Sequence, residues 1–251
     1  MDLKVLGVIP ARFGSSRFPG KPLVDIAGKS MIRRVYEQAL QSSSISRLIV
    51  ATDDSRIESH VKDFGGEVRM TSKHHTSGTE RIGEVIERLK AEGDCNFRVV
   101  VNIQGDEPLL NPGQIDLAVE SFSQPQVEIS SLMKQISIPE ELFNPNVVKV
   151  VVDCQSDALY FSRSTIPYLR GHQPEEWLEH QTFYKHIGLY AYRMDVLSRI
   201  LKLAPGQLEK SESLEQLRWL ENGFKIRLVP TNIETISVDS PEDLLKLTNK
   251  V

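Results

Sequence analysis

Short apolar runs rich in valine and isoleucine alternate along this chain with segments whose apolar residues recur at helical spacing. The runs predict strands at 5–9, 47–51, 67–70, 99–103, 147–152, 187–192, 226–229 and 236–238. Between them, apolar residues three or four positions apart predict helices with one buried face, in the sets that begin at Met31, Ile82 and Leu214. This alternation predicts an α/β fold built on a mostly parallel sheet that helices cover.

The segment from about 144 to 192 departs from the strict alternation of strand and helix. Its part at 171–183 is polar and contains Gly171 and Pro174, which interrupt regular structure. The sequence has no internal repeat and no linker rich in Gly, Ser or Pro. We therefore predict a single domain over 1–251 with a small lobe at about 144–192.

Net charge and cysteine content indicate which classes of binding partner and which cellular compartment fit this chain. The net charge of −4 and the sequence pI of about 5.9 argue against a global basic field for nucleic acid or an acidic membrane. The only cysteines, Cys95 and Cys154, form no CxxC pair. This argues for a reducing compartment and against a metal site with thiolate ligands. The short apolar run before Pro10 is typical of neither a signal peptide nor a membrane span, so we expect a cytoplasmic protein.

The loop that follows the first predicted strand reads PARFGSSRFPGKP and occupies 10–22. It combines two glycines, which let the backbone approach a ligand closely, with three fixed positive charges. These residues are Gly14, Gly20, Arg12, Arg17 and Lys21. The combination predicts a polyphosphate site, and the structural alternative is a basic surface loop.

Two better-known phosphate loops do not fit this segment. The P-loop has four residues between its glycines and a Ser or Thr after its lysine, whereas here five residues separate Gly14 from Gly20 and Pro22 follows Lys21. The dinucleotide fingerprint GxGxxG is absent after the first predicted strand, which argues against a nicotinamide or flavin enzyme.

Aspartates follow two of the predicted strands at positions where a nucleotide-bound metal would lie. Asp106 comes shortly after the fourth predicted strand, and Asp239 directly follows the last one. Mg²⁺ usually takes one or two carboxylates together with phosphate oxygens and water, so these two acids would suffice. The structural alternative for each is a turn or capping aspartate, although Ser240 and Asp243 can cap the helix after Asp239 without it.

The stretch SGTER at 77–81 opens the helix whose apolar set begins at Ile82. Helix N-termini attract anions and offer free N–H groups, so this end of the helix is a candidate anion site. Ser77 or Thr79 could instead act only as the helix cap.

The loop sequence PARFGSSRFPGKPL resembles the signature loop of the sugar nucleotidyltransferases with a GT-A-like, Rossmann-type fold, and its RFPGKPL half is similar to the CMP-Kdo synthetases. QGDEP, SGTER, NPNVVKVVVD with ALYFSRSTIP, KHIGLYAYR, SLEQLRWLENG and VDSPEDL extend the resemblance over nearly the whole chain. It implies helices on both faces of the sheet, a dimerisation lobe, Mg²⁺ as cofactor and a homodimer. It also implies transfer of CMP from CTP to the anomeric hydroxyl of 3-deoxy-D-manno-octulosonate (Kdo), a step of lipopolysaccharide biosynthesis.

The resemblance also assigns roles to individual residues. The implied nucleotide contacts are Ala11, Arg12, Arg17, Lys21, Ser77 and Gly78. Arg17, Lys21 and Asp106 are implied to act in catalysis, and Asp106 and Asp239 to hold the metal. The implied sugar contacts are Arg81, which would reach the sugar carboxylate, with Gln104, His186, Tyr190, Glu215 and Gln216. Glu107 is expected to lie beside the metal site without binding the ion.

Several alternatives remain at the level of sequence. Glu215 and Gln216 lie off the apolar stripe of their predicted helix, so they could form a solvated face. The acceptor could be a related acid sugar, such as 8-amino-Kdo or sialic acid, and a catalytically silent nucleotide-sensing module is a less favoured reading. No cysteine or serine elbow follows a predicted strand, which favours direct in-line attack of the sugar hydroxyl on the α-phosphorus.

Overall fold

The structure is a computed structural model that describes residues 3–14 and 18–247. Its strands are β1 (Val5–Ala11), β2 (Asp25–Ile26), β3 (Lys29–Ser30), β4 (Arg47–Thr52), β5 (Val68–Met70), β6 (Val99–Asn102), β7 (Ile129–Gln135), β8 (Lys149–Val152), β9 (Ala158–Ser162), β10 (Tyr184–Arg193) and β11 (Ile226–Pro230). Its α-helices are α1 (Met31–Ala39), α2 (Ser55–Asp63), α3 (Gly78–Ala91), α4 (Pro112–Glu120), α5 (Pro139–Phe143), α6 (Trp177–His180), α7 (Met194–Ile200), α8 (Gln207–Glu212), α9 (Gln216–Glu221) and α10 (Pro241–Leu247).

The chain forms two compact units. The first unit comprises Met1–Val119 and Thr235–Val251, and the second unit comprises Glu120–Glu234. The segment predicted as a lobe, 144–192, falls within the second unit, and the single-domain organisation with a lobe stays a prediction. Within the described ranges no helix is both long and apolar enough to cross a bilayer.

Four strands of the first unit pair in parallel, in the order β6, β1, β4, β5, and β2 pairs antiparallel with β3 in a separate two-stranded sheet. Leu6 in β1 lies opposite Val100 of β6 on one side and Arg47 of β4 on the other. Parallel strands with crossover helices require apolar residues on both faces, and β1 and β6 are buried over almost their whole lengths. The predicted α/β class with a mostly parallel sheet is confirmed.

Two of the helices in the first unit bury the faces that the sequence predicts. The apolar sets that begin at Met31 in α1 and Ile82 in α3 are buried throughout. Ser30 caps α1, because its side-chain oxygen accepts a hydrogen bond from the backbone N–H of Arg33 at 3.3 Å. The helices are therefore fixed by their apolar stripes and by local capping.

The second unit has a mixed sheet. β11 runs parallel to β7, while β7 pairs antiparallel with β10, β10 with β8 and β8 with β9. The register between β10 and β7 shifts between Ile187 and Tyr190. A separate apolar cluster in this unit contains Ile136, Leu142, Trp177 and Phe183. It anchors the polar segment at 171–183 that the sequence pattern left without a predicted element.

The residues 236–238, predicted as a strand, are not a strand in the structure. The backbone N–H of Val238 donates to the carbonyl oxygen of Asp106 at 2.9 Å, and Ile236 and Val238 pack with Ile26 and Met31. The apolar run therefore reflects burial beside the loop after β6 rather than strand pairing.

Candidate functional site

A cavity of about 250 Å³ lies in the first unit where β1 and β6 end and α3 begins. Its walls are formed by Pro10, Ala11, Arg12, Lys21, Pro22, His75, Thr76, Ser77, Gly78, Arg81, Gln104, Gly105, Asp106 and Asp239. Every described residue of this unit that the sequence assigned to nucleotide, sugar or metal lies in these walls. Arg17, predicted to bind phosphate and act in catalysis, lies outside the described residues.

Gly105 allows the loop after β6 to pack against the end of β1. A Cβ atom at this position would lie 2.8 Å from the carbonyl oxygen of Pro10, closer than a side chain tolerates. Backbone atoms cannot move aside as a flexible side chain could, so only glycine permits this approach. The contact places Asp106 next to the loop that follows β1.

The loop after β1 closes on itself before the 3-10 turn at Lys21–Leu23. Gly20 has a positive φ of 73°, and its N–H donates to the carbonyl oxygen of Phe13 at 3.0 Å. The guanidinium carbon of Arg56, on α2, lies 3.3 Å from the centre of the Phe13 ring. A cation stacked on an aromatic face stabilises the pair, so Phe13 ties the loop to α2.

The ammonium group of Lys21 lies between the two predicted metal ligands. Its Nζ is 2.7 Å from Asp106 Oδ2 and 3.6 Å from Asp239 Oδ1, and it also donates to the carbonyl oxygen of Val238 at 2.9 Å. Two carboxylates within reach of one positive charge form a site that attracts cations. Oxygen donors of this kind are the ligands that Mg²⁺ prefers, so the residues fit the expected ion.

Glu107 differs from its neighbour Asp106 in its surroundings. Only 7% of the Glu107 surface is exposed. Burial raises the pKa of Glu107 to about 8, and the adjacent Asp106 carboxylate adds to the shift. The expectation that Glu107 does not bind the ion stays a prediction.

The Asp239 carboxylate does not take part in capping α10. The side chain of Asp243 accepts hydrogen bonds at 3.1 Å from the N–H of Asp239, the N–H of Ser240 and the hydroxyl of Ser240. This is the arrangement predicted from the sequence, with Pro241 as the first helical residue. Asp243 therefore does the capping while the Asp239 carboxylate reaches Lys21.

The N-terminus of α3 is closed by a capping box. Glu80 N–H donates to Ser77 Oγ at 3.2 Å, and Ser77 N–H donates to the Glu80 carboxylate at 3.4 Å. Of the two capping alternatives, Ser77 is the cap. Its hydroxyl is engaged, and Gly78, the first residue of the helix, packs on Pro10 with no side chain between them.

Arg81 is 3% exposed and its guanidinium is already paired. One terminal nitrogen donates to Asp53 Oδ2 at 2.9 Å, and the other contacts the Thr71 hydroxyl and the Ser72 carbonyl oxygen. A buried charge needs such a partner, because removal from water is otherwise costly. The predicted contact of Arg81 with the sugar carboxylate stays a prediction, and it would be made by a guanidinium fixed in the cavity wall.

Two residues near the cavity were missed at the level of sequence. Asp53 directly follows β4, so the rule that draws attention to strand ends could have found it. His75 lines the cavity and its Nε2 lies 2.6 Å from Glu84 Oε2. Its position just before the SGTER stretch was the available signal.

The remaining predicted sugar contacts belong to the second unit. His186 Nε2 lies 2.9 Å from Ser131 Oγ, which is also 2.9 Å from the carbonyl oxygen of Leu189. The hydroxyl has one proton and a carbonyl only accepts, so Ser131 donates to the carbonyl and accepts from Nε2–H. Burial lowers the pKa of His186 to about 3, so its ring is neutral and its Nδ1 holds a lone pair.

Tyr190 and Trp219 form an aromatic pair with unsatisfied donors. Their rings are perpendicular at 5.1 Å, and the Tyr190 ring also lies 5.2 Å from that of His186. Within the part of the chain that the structure describes, neither Tyr190 Oη nor Trp219 Nε1 has a hydrogen-bond partner. Burial raises the pKa of Tyr190, so its hydroxyl keeps its proton. Buried polar groups without protein partners are unusual in native proteins, so both donors are available to a polar ligand or to water.

Glu215 and Gln216 stand at the start of α9, in the same unit. Gln216 is 6% exposed, which contradicts the solvated-face alternative for that residue. Glu215 is partly buried and its charge contributes to the raised pKa of Tyr190, so the two groups are close. The second unit thus brings Tyr190, His186 and Glu215 into one neighbourhood.

The chain is similar to known cytidylyltransferases over nearly its whole length. Residues 6–226 match the family model described as Cytidylyltransferase. A 3-deoxy-manno-octulosonate cytidylyltransferase of Cytophaga hutchinsonii is 49% identical over 99% of this chain and 98% of its own length. One of Parabacteroides distasonis is 52% identical over 97% of this chain and 96% of its own. The solved structure of a CMP:2-keto-3-deoxy-manno-octonic acid synthetase complexed with CTP matches with a TM-score of 0.90 and 42% identity, covering 98% of each chain.

Proposed function

This chain belongs to the 3-deoxy-manno-octulosonate cytidylyltransferase family, and we propose that it transfers CMP from CTP to the anomeric hydroxyl of Kdo. The observation that carries the proposal is the convergence of Lys21, Asp106 and Asp239 in one cavity at the ends of β1 and β6. The products are CMP-Kdo and pyrophosphate, and the nucleotide sugar would supply lipopolysaccharide biosynthesis.

The nucleotide half of the reaction rests on the cavity of the first unit. Lys21 and Arg12 supply positive charge for the triphosphate, and Arg17 is proposed to do the same from the loop after β1. The N-terminus of α3, with Ser77 and Gly78, carries the partial positive charge of the helix dipole. This charge favours an anion or the polar edge of the base. These groups hold the phosphates in place before the reaction, so little reorganisation is needed as charge develops.

Mg²⁺ is proposed as the cofactor, held by Asp106 and Asp239. When bound, it would neutralise phosphate charge and orient the triphosphate. The carboxylates that would hold it now contact the Lys21 ammonium, so an ion at this position competes with that contact. Lys21 would then be available to a phosphate oxygen, where its charge stabilises the developing pyrophosphate.

The sugar half of the reaction is proposed to use the polar residues that the sequence assigned to sugar binding. In the second unit, Tyr190 Oη and Trp219 Nε1 are buried donors without protein partners in the described chain, and the neutral His186 offers Nδ1 as an acceptor. A polyhydroxy acid presents both donors and acceptors, so it can satisfy such groups. Glu215 and Gln216 are proposed further contacts there, and Arg81 and Gln104 are proposed contacts in the first unit.

The proposed chemistry is a direct displacement. The anomeric oxygen of Kdo forms a bond to the α-phosphorus of CTP while the bond from that phosphorus to the oxygen of the β-phosphate breaks. The leaving pyrophosphate carries away the electron pair of the broken bond, and the proton of the anomeric hydroxyl passes to solvent. In phosphoryl transfer of this kind the protein acts mainly by positioning the groups and stabilising charge. Lys21 and the arginines of the loop supply that charge in this chain.

Pyrophosphate release from CTP and Mg²⁺ tests the proposal, with Kdo, 8-amino-Kdo and sialic acid as separate acceptors. We expect release with Kdo to exceed that with the other two acids. Kdo and 8-amino-Kdo differ only in the group at C8, where one carries a hydroxyl and the other an amino group. A single pocket contact can distinguish these groups, so the rates with these two acceptors make the sharpest comparison. Release with none of the acids would contradict an enzymatic function and favour a nucleotide-sensing module.

We further propose that the protein is a homodimer. Large exposed apolar side chains are concentrated in the second unit, where Ile138, Phe143, Leu159 and Tyr168 are 48%, 45%, 62% and 76% exposed. Exposed apolar groups of this size are typical of interaction surfaces. Light scattering should therefore show a dimer for the native chain and a monomer for Tyr168→Glu. Leu40→Glu is the control, because Leu40 is 54% exposed but lies in the first unit. A monomeric native chain would overturn this.

The compartment is proposed to be the cytoplasm, where CTP is available. Cys154 is exposed and Cys95 is partly exposed, and both are free thiols. Thiols in such positions persist in a reducing environment. Localisation of a tagged chain by cell fractionation tests this, and recovery outside the cytoplasmic fraction would contradict it.

A further inference from the structure

Three potential metal ligands gather in the polar segment at 171–183 of the second unit. His172, Glu176 and His180 are spaced four residues apart. Their donor atoms all lie within 4.8 Å of one another, the one such group of three or more His, Cys, Asp or Glu in the chain as described. None of them belongs to the cavity of the first unit or to the neighbourhood of Tyr190.

The side chains already face one another. The rings of His172 and His180 are 4.0 Å apart at an angle of 38°. His172 Nδ1 lies 3.9 Å from Glu176 Oε2, and that same oxygen accepts a hydrogen bond from the N–H of Gln173 at 3.2 Å. A backbone N–H therefore holds the carboxylate near the His172 ring.

The backbone that carries these ligands is anchored in the core of the second unit. Trp177, which lies between Glu176 and His180 in sequence, is 5% exposed and stacks on Phe183 with ring centres 6.0 Å apart. Its indole N–H donates to the carbonyl oxygen of His172 at 3.1 Å. A cluster mounted on a buried aromatic side chain is largely pre-organised, which reduces the entropy lost on binding.

We propose that His172, Glu176 and His180 form a surface site for a borderline transition-metal ion of the Zn²⁺ type. Imidazole nitrogens suit zinc, nickel and copper, whereas Mg²⁺ prefers oxygen, so this site differs in chemistry from Asp106 and Asp239. The three ligands leave a position for water. Tetrahedral zinc with bonds of about 2.0–2.2 Å places its ligand atoms roughly 3.4 Å apart. The donor atoms of the cluster now lie within 4.8 Å of one another, and the exposed side chains of Glu176 and His180 can rotate to bring them to this shorter distance.

The consequence of binding is local. The ion would link His172, two residues before the 3-10 turn at Pro174–Glu176, to His180, the last residue of α6. Because the ion binds the folded segment, it stabilises that segment by mass action. The site would thus act as a clamp on a short helical stretch rather than as a part of the transfer reaction.

Isothermal titration of the full-length protein with Zn²⁺ tests the site, with millimolar Mg²⁺ present to compete at the acid pair. We expect one ion per chain, with affinity at least about tenfold lower in His180→Ala, the change of one ligand. His74→Ala is the matched control, because His74 is also exposed but lies outside the cluster, and it should bind as the native chain does. Glu176→Gln provides a second variant should His180→Ala fold poorly.

Co²⁺ provides an independent measurement, because its visible absorption is strong in a tetrahedral site and weak in an octahedral one. The expected result is a strong band with the native chain and with His74→Ala, and its loss in His180→Ala and Glu176→Gln. Absence of saturable Zn²⁺ binding to the native chain would overturn the proposal. Zn²⁺ binding that persists in His180→Ala and disappears in Asp106→Asn would also overturn it, because the ion would then occupy the acid pair.

Discussion

Asp106 and Glu107 are adjacent acids in opposite environments. Asp106 lines the cavity and lies 2.7 Å from the Lys21 ammonium, whereas Glu107 is buried beside it. Burial separates the chemistry of two carboxyl groups that look equivalent in sequence. A cation in the cavity can reach the first acid, and the second acid contributes to packing.

Asp106→Asn and Glu107→Gln therefore form a matched pair of acid-to-amide changes. We expect Asp106→Asn to lower turnover by about 10²-fold or more, the magnitude typical of losing one electrostatic group at a reacting centre. Glu107→Gln keeps the shape of the neutral acid and should change turnover by only about threefold. Initial rates of pyrophosphate release measure both, and circular dichroism verifies the fold. Equal losses in the two variants would contradict the metal assignment.

Asp53 and Arg81 make a second residue-scale prediction. Asp53→Asn removes the charge that faces a guanidinium whose side chain is 4% exposed, and it should cost about 3 kcal/mol of unfolding free energy. Asp54→Asn is the control, because Asp54 pairs with Arg56, whose side chain is 59% exposed, and asparagine also caps a helix. That change should cost less than about 1 kcal/mol. Urea denaturation measures both. A similar loss of unfolding free energy in the two variants would show that the buried Asp53–Arg81 pair contributes no more to stability than the exposed Asp54–Arg56 pair.

At the scale of elements, the sequence predicted which residues meet at the cavity better than it predicted every strand. The cavity could be predicted because parallel strands end at one edge, so polar residues after β1 and β6 meet. β7 was missed because Ser130 and Ser131 interrupt its apolar run, although both are fully buried. The residues 236–238 were wrongly predicted as a strand, since burial alone produces an apolar run. Asp53 was missed because its partner lies 28 residues away in sequence.

The antiparallel pairing of β7 with β10 carries a pH-dependent contribution to stability. His186 in β10 has a pKa of about 3 in the folded chain, against the ordinary 6.5, so the unfolded chain binds the extra proton first. Stability is therefore retained above about pH 6.5 and falls as the pH drops below it, by about 1 kcal/mol between pH 7 and 5.5. In His186→Gln this part of the loss should disappear. Urea denaturation at both pH values measures the difference, and identical pH dependence in the two proteins would contradict the neutral state of the His186 ring.

At the scale of the whole molecule, an acidic protein has to bind anionic substrates. The net charge is −4, so attraction for CTP must come from local groups rather than from the overall field. In the first unit those groups are the cations of the loop after β1 and the pair of acids that is proposed to hold Mg²⁺. Binding of the nucleotide should therefore depend strongly on the ion.

Thermal unfolding with CTP measures that dependence. A ligand at about 100 times its Kd adds roughly 2.7 kcal/mol, which corresponds to about 5–10 °C in Tm for a chain of this size. We expect that rise with CTP and Mg²⁺ together, and a much smaller one with CTP and a chelator. Asp239→Asn should show the smaller rise even with Mg²⁺, because one carboxylate of the pair is lost. Glu242→Gln, an exposed acid on α10, is the control and should behave as the native chain does. Equal shifts with Mg²⁺ and with chelator would show that the acid pair does not hold the ion, and that the cations of the loop after β1 support the nucleotide without it.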